Sequence, residues 1–336
     1  MKVEEAVGKK LALDTTYVGT EGAFTLLPRG HIIKEDDVEK LKSSGAYFVW
    51  VEDGSEDVVH EQEATAMVAE KIIGENLKIE MGRQGATLIY SAIPGIFMAD
   101  RRGVAEFNKN GNIIVITVQD GKAVGKEEIV AVVDAIPPFV SREVLNSLNF
   151  SKLLSVKGFS RRKVSAVITG TEIYEGRKRD LYAPILREKC EKYGWELLSV
   201  EIVPDNEEAI KGALNRAERN GAEGVIVTGG LSVDPTDRTL EAIKAWGAKI
   251  MAYGLPIKPT TMSAIAYKGD VPVLAISAGG IYYRDFNAID IFFTKMMAGI
   301  VMDEDAIFSH SVGGLLPNFN PHMKKSVLAR EIKMKR

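Results

Sequence analysis

Two glycines and a run of oxygen-bearing side chains carry the most chemistry in this sequence: residues 225–239 read VIVTGGLSVDPTDRT. Val225 to Val227 predict a buried strand, and Gly229 and Gly230 let the backbone turn sharply at its end with N–H groups exposed. Ser232, Asp234, Thr236 and Asp237 follow, where a helix carrying Leu240 and Ile243 is expected to begin. Amides at such a helix start collect anions, and carboxylates beside them hold a hard cation. The pattern suits a phosphorylated ligand accompanied by Mg²⁺. A helix dipole adds only about 0.3–1 kcal/mol, whereas micromolar binding requires about 8 kcal/mol. The amides of Thr228 to Ser232, the hydroxyls of Thr169 and Ser232 and a cation must therefore act together.

Other residues could join that cup. Asp205 and Asp237 are candidates to hold Mg²⁺, although Asp205 could equally cap a helix. Asp180 carries the same two readings. Lys258, in Lys258-Pro259-Thr260-Thr261, could bring an ammonium to a second phosphate. Ser277, Gly279 and Gly280 follow an apolar run and allow close backbone approach, or simply make a turn of small residues. Glu172, after Thr169, Gly170 and Thr171, could orient a ligand hydroxyl or pair with Arg177. The four histidines, 31, 60, 310 and 322, are scattered and lack a metal-ligand partner at i+4. They read as surface or packing residues. No nucleophile elbow, Walker-type phosphate loop or dinucleotide fingerprint occurs.

These groups need a scaffold, and the region from about 163 to 299 supplies a regular one. Strands are expected at 164–168, 197–203, 225–227, 250–253 and 271–276. Helices are expected at 180–193, from 207 to the Asn220-Gly221 stop, at 237–246 and at 287–298. Strands alternating with helices indicate an α/β fold with a three-layer, mostly parallel sheet. Ligands in such sheets sit beyond the carboxyl ends of the strands. The polar clusters at 169–172, 205–206, 228–237 and 277–280 all follow strands and should converge on one rim. The first half is a smaller β-rich α+β region. It has a turn at 14–16, a helix at 34–44, a strand at 47–52 and a helix at 62–75, then short strands at 86–90, 96–99, 113–118 and 129–133. Pro137-Pro138 and residues 157–163 read as the connector. The expected units are 1–60, 61–160, 161–303 and a C-terminal extension, 304–336.

Composition limits the partners. The chain has 336 residues, 46% hydrophobic and 26% charged, with a formal net charge of −3. That balance gives no global attraction to nucleic acid or to a membrane. The single cysteine, Cys190, excludes an internal disulfide. It sits on an amphipathic run, as a reduced core thiol would. The N-terminus lacks a signal-peptide pattern, so a cytoplasmic location is expected.

With these pieces in view, the second half resembles the pterin-binding domain of molybdenum-cofactor biosynthesis proteins, shared by molybdopterin adenylyltransferases and molybdenum insertases. The matching pieces, over about 163–300, are Thr169-Gly170-Thr171-Glu172, Val203-Pro204-Asp205-Asn206, Thr228 to Val233 with Asp237 downstream, and Ile257-Lys258-Pro259. The opening, from Lys2 to Ile33, resembles the start of insertase-like molybdopterin-binding proteins.

The resemblance implies a molybdopterin-binding domain in a homo-oligomer, dimer or trimer, with the pterin phosphate at the Gly229-Gly230 turn. Asp205 and Asp237 fall where adenylyltransferases carry their functional aspartates, which implies AMP transfer from Mg-ATP to the pterin, or molybdate insertion. Thr171 stands where insertases place Asp. Lys258-Pro259-Thr260-Thr261-Met262 lacks the second lysine of their Lys-Pro-Gly-Lys-Pro loop, and Ile276 to Gly280 lacks the Asn and Pro of theirs. Those departures open an alternative: a non-catalytic carrier or sensor of the cofactor. A nucleotide-processing relative sharing the domain, such as a pyridine-nucleotide amidohydrolase, is a third reading.

Overall fold

The structure, a computed structural model, describes residues 1–317 and 319, except 21, 53, 56, 83, 84, 232–237 and 282. Its largest sheet has six strands in the order Glu196–Val203, Lys163–Thr169, Gly224–Thr228, Val271–Ile276, Ser263–Lys268, Lys249–Tyr253. The first four are parallel neighbours. Ser263–Lys268 runs antiparallel to the strands on both its sides. The three-layer α/β architecture expected from the sequence is therefore present, with one reversed strand that the sequence reading lacked.

Helices cover both faces. Tyr182–Tyr193 and the segment 289–297 bury one side with Ile168, Ile226 and Leu274. Glu207–Arg219 and Thr239–Ala245 bury the other with Val167, Val225 and Val227. The strands between them are apolar on both faces, as parallel strands under two helical layers must be. Asn206 accepts the Ala209 N–H at 2.8 Å and starts its helix, so Asn206, not Asp205, is the cap. Asp180 likewise accepts the Tyr182 N–H at 2.7 Å and resolves to a cap.

The topology singles out one place along this sheet. The chain leaves Lys163–Thr169 for the outer strand Glu196–Val203, then returns past its starting point to Gly224–Thr228. Two successive crossovers thus run in opposite directions, and their helices lie on opposite faces. The carboxyl ends of Lys163–Thr169 and Gly224–Thr228 flank that switch point, where doubly wound sheets have their ligand crevice.

The first half has its own cores. The helix Glu61–Ile72 packs on a four-stranded antiparallel sheet ordered Leu77–Met81, Thr87–Ser91, Ile129–Ala135, Ile113–Thr117. A three-stranded sheet joins Leu154–Gly158, Gly95–Ala99 and Ala123–Val124. Residues 139–141 pair with 58–60, and 154–158 pair with 95–99. The expected connector is accordingly much shorter, because its two ends are taken up by sheets. The N-terminal core gathers Val3, Leu11, Ile33 and Leu41. Thr15–Gly19 and Gly22–Leu27 pair as antiparallel strands where a turn at 14–16 was expected. The expected strand at 47–52 makes only isolated bridges, Lys2 to Phe48 and Leu11 to Val51.

Candidate functional site

Thr169 and Thr228 end the two strands that flank the crevice. Thr228 is wholly buried and Thr169 nearly so, yet neither hydroxyl has a hydrogen-bond partner among the described residues. A buried hydroxyl left unmatched costs about 1–3 kcal/mol, so two together at one sheet end are unusual. The diglycine turn lies against them. Gly229 has φ of 92° and Gly230 of 60°, backbone angles at which a side chain is strained. A Cβ at Gly229 would also lie 2.5 Å from the Thr169 carbonyl oxygen and 2.6 Å from its Oγ1. Glycine at this position is required twice, by conformation and by space.

The turn is held from outside. Thr239 Oγ1 donates to the Gly229 carbonyl at 3.0 Å, and Tyr253 donates its hydroxyl to the Leu231 carbonyl at 3.0 Å. One expectation is corrected: the Gly229 N–H is not exposed but donates to the Ile276 carbonyl at 3.1 Å, extending the parallel ladder. The unmatched buried side-chain groups on the described part of this rim are the hydroxyls of Thr169 and Thr228. Ser232, Asp234 and Asp237 lie outside the described residues.

The other expected residues are placed as follows. Gly170 donates its N–H to Val203, which ties the first loop to the end of the outer strand. Thr171 donates both its N–H, at 2.9 Å, and its hydroxyl, at 3.3 Å, to Asp205 Oδ2. One oxygen of Asp205 is thereby engaged, and the carboxylate is a loop clasp. Glu172 pairs with Lys178 at 2.9 Å rather than with Arg177, and that hydrogen bond holds its carboxyl below the usual range. Lys258 is exposed, and its peptide is fixed on both sides, by Gly314 and Leu316. Ser277 begins the short turn Ala278–Ile281. Gly280 is explained by packing, because a Cβ there would run into the Thr260 side chain, whereas Gly279 faces open space. Among the described residues no group of three or more His, Cys, Asp or Glu is arranged to hold a metal.

Thr260, which the sequence reading did not name among its site residues, packs beside Gly280. Its hydroxyl is buried and lacks a partner, and its φ of 85° is strained for a β-branched residue. The only signal was a pair of threonines after Lys258-Pro259.

Comparison with known proteins bears on the same stretch. Residues 165–308 match a family described as "Probable molybdopterin binding domain". A molybdopterin adenylyltransferase of Pyrococcus furiosus is 30% identical over 118 residues, which span 35% of this chain and 68% of that protein. The chain belongs to the molybdenum-cofactor biosynthesis family. A CinA-like protein of Syntrophus aciditrophicus is 34% identical over 89 residues, only 21% of its own length. Among solved structures, the molybdopterin biosynthesis enzyme MoaB of Thermus thermophilus aligns with a TM-score of 0.36 and 19% identity. That alignment covers 41% of this chain and 97% of the other. The tungsten-cofactor-synthesizing MoaB of Pyrococcus furiosus gives 0.31 and 20%, over 46% and 98%. Residues 1–53 match a domain of unknown function. Among the described residues of this family member, no helix is long and apolar enough to cross a membrane.

Proposed function

We propose that the switch-point crevice binds the terminal phosphate of molybdopterin. The observation that carries this reading is the pair of buried, unpartnered hydroxyls of Thr169 and Thr228 beside the diglycine turn. Each would donate to a phosphate oxygen, and the glycines at 229 and 230 let the turn pack close enough to hold Thr169 and Thr239 against it. A hydrogen bond to a charged group contributes about 1.5–3 kcal/mol, so two such donors supply a useful fraction of micromolar affinity.

For activity we infer adenylyl transfer, supported by the name of the Pyrococcus furiosus relative. A terminal phosphate oxygen of the pterin forms a bond to the α-phosphorus of ATP, and the bond from that phosphorus to the bridging oxygen breaks, releasing pyrophosphate. This chain's residues hold and orient the attacking phosphate; no protein nucleophile is needed. Asp205, clasped by Thr171, would fix the first loop beside the bound phosphate. That same engagement supports the second reading, a carrier that holds the pterin without turning over, because Asp205 has one oxygen fewer for other duties.

Calorimetry of the full chain separates these. Molybdopterin should bind, and Thr169→Val and Thr228→Val should each weaken it at least about tenfold. Unchanged affinity in both variants removes the crevice from the binding site. Saturable ATP binding in the presence of magnesium supports the transferase, and pterin binding with no ATP binding supports the carrier.

A further inference from the structure

A second polar site shares no residue with Thr169, Thr228 or the diglycine turn: residues 119–123 of the first half, residues 286–295 and residues 310–316 line a cavity of about 110 Å³. At about 30 Å³ per water, it has room for about three or four waters. A pterin or a nucleotide is too large for it; a phosphate, sulfate or formate ion is not.

Its wall is built by an irregularity in the covering helix. Residues 289–293 form a π-turn, with the Thr294 N–H bonded to the Ile289 carbonyl, before a short α-turn at 294–297. In an α-helix, at about 100° per residue, the fifth residue on would point about 140° away. The wider turn brings Asp290 and Lys295 to the same cavity.

The two differ in how they are matched. Asp290 is fully engaged: Lys189 Nζ donates to both its oxygens at 2.7 Å, Tyr193 at 2.6 Å and the Asn287 N–H at 2.8 Å. Lys122, on the same wall as Asp120, is paired with Glu128 at 2.7 Å. Among the described residues Lys295 has no carboxylate paired with it. Its ammonium donates to His310 Nε2 at 2.6 Å, and His310 Nδ1 faces the Ala306 carbonyl at 2.9 Å. A ring nitrogen facing a carbonyl must carry the proton, so Nε2 is the lone-pair acceptor of a neutral imidazole. Burial and the neighbouring Lys295 both hold His310 below its ordinary range. An ammonium has three donors, and the imidazole takes one without neutralising the charge. Burial lowers the hold of Lys295 on its proton, and the Asp120 carboxylate, whose Oδ1 accepts from the Ala99 N–H at 2.9 Å, opposes that change.

We propose that this cavity binds a small oxyanion on the Lys295 ammonium, beside the neutral His310. The site is distinct from the crevice of Thr169 and Thr228, and it does not rest on the pterin reading. Titration calorimetry of the full-length protein with sodium phosphate, sulfate and formate, at constant ionic strength in chloride, tests it and shows which oxyanion is preferred. At least one should bind saturably. Lys295→Met should weaken that binding at least tenfold, Lys295→Arg should retain it within tenfold, and Thr228→Val should leave it unchanged. Absence of saturable binding in the wild type overturns the proposal. So does equal binding in Lys295→Met, or loss in Thr228→Val alone. If Lys295→Met does not fold, the ¹⁵N resonance of the wild-type Lys295 ammonium decides: it must move with anion concentration, and a static signal rejects the site.

Discussion

Two buried polar clusters in the α/β unit are opposites. At the sheet rim, Thr169 and Thr228 are neutral and buried, with nothing to bond to. Under the helical layer, Lys189, Asp290 and Tyr193 are ionic or strongly polar, equally buried, and their charges are matched. Burial lowers the tendency of Lys189 to carry its proton, while the adjacent Asp290 carboxylate opposes that change. It also raises the Tyr193 phenol above its ordinary range, so the phenol stays protonated and keeps donating. The second cluster spans 101 residues of sequence and ties Tyr182–Tyr193 to the π-turn. A saturated network serves the fold, whereas an unsatisfied pair costs stability that a bound partner can return.

The contrast is broken most forcefully at Asp290. Asp290→Ala leaves the Lys189 charge buried and unpaired, a change that costs about 3–5 kcal/mol. Denaturant unfolding should show that loss, and a change under 1 kcal/mol would mean that the pair is not a structural tie. Thr228→Val should move stability the other way or not at all, by about 0–1 kcal/mol, since it removes an unmatched hydroxyl of similar shape. Thermal melting checks this; a loss above 2 kcal/mol would show that the hydroxyl is bonded in solution.

The smallest effect belongs to a third polar group, in the N-terminal unit. Asp37 accepts from His31 at 2.7 Å, from the Lys34 N–H at 3.0 Å and from Lys40 at 3.2 Å. These bonds, His31 first, lower its pKa from 3.8 to about 2. A depressed pKa stabilises the fold above the unfolded value, so this contribution is present above pH 4 and is lost as the pH falls toward 2. Asp37→Asn should flatten the acid limb of stability in that window, followed by circular dichroism; an unchanged limb would assign the acid sensitivity elsewhere.

Much of the α/β unit could be read from its sequence because each element carried both a period and a punctuation mark. Helix 207–219 has Ile210, Ala213, Leu214 and Ala217 on one face, Asn206 before it and Asn220-Gly221 after it. The reversed strand Ser263–Lys268 was lost because SAIAYK is short and alanine-rich, buried over its first four residues, and shows no alternation. The antiparallel pair Thr15–Gly19 and Gly22–Leu27 escaped for a different reason: most of its residues are exposed on both faces. The expected helix at 287–298 held in place but not in winding, since no residue type in IDIFF announces a π-turn. At the rim, the glycines and Thr169 were evident from type and spacing. The bonding of Asp205 to Thr171, the sheet bond of Gly229 and the meeting of Lys295 with His310 were not, because each depends on contacts that only the folded chain creates.

Ile96 and Ala123, which belong to the three-stranded sheet of the first half, also lie in the largest core of the α/β unit, together with Phe159, Tyr193 and Trp195. The two halves therefore share one dry seam. A fragment starting near residue 160 would expose an apolar scar on the face opposite Glu207–Arg219 and should tend to clump or to recruit another surface. Keeping that seam covered also requires the helix Glu61–Ile72 and the strands that back the three-stranded sheet, so a shorter chain that retains residues 165–308 must begin upstream of Val58.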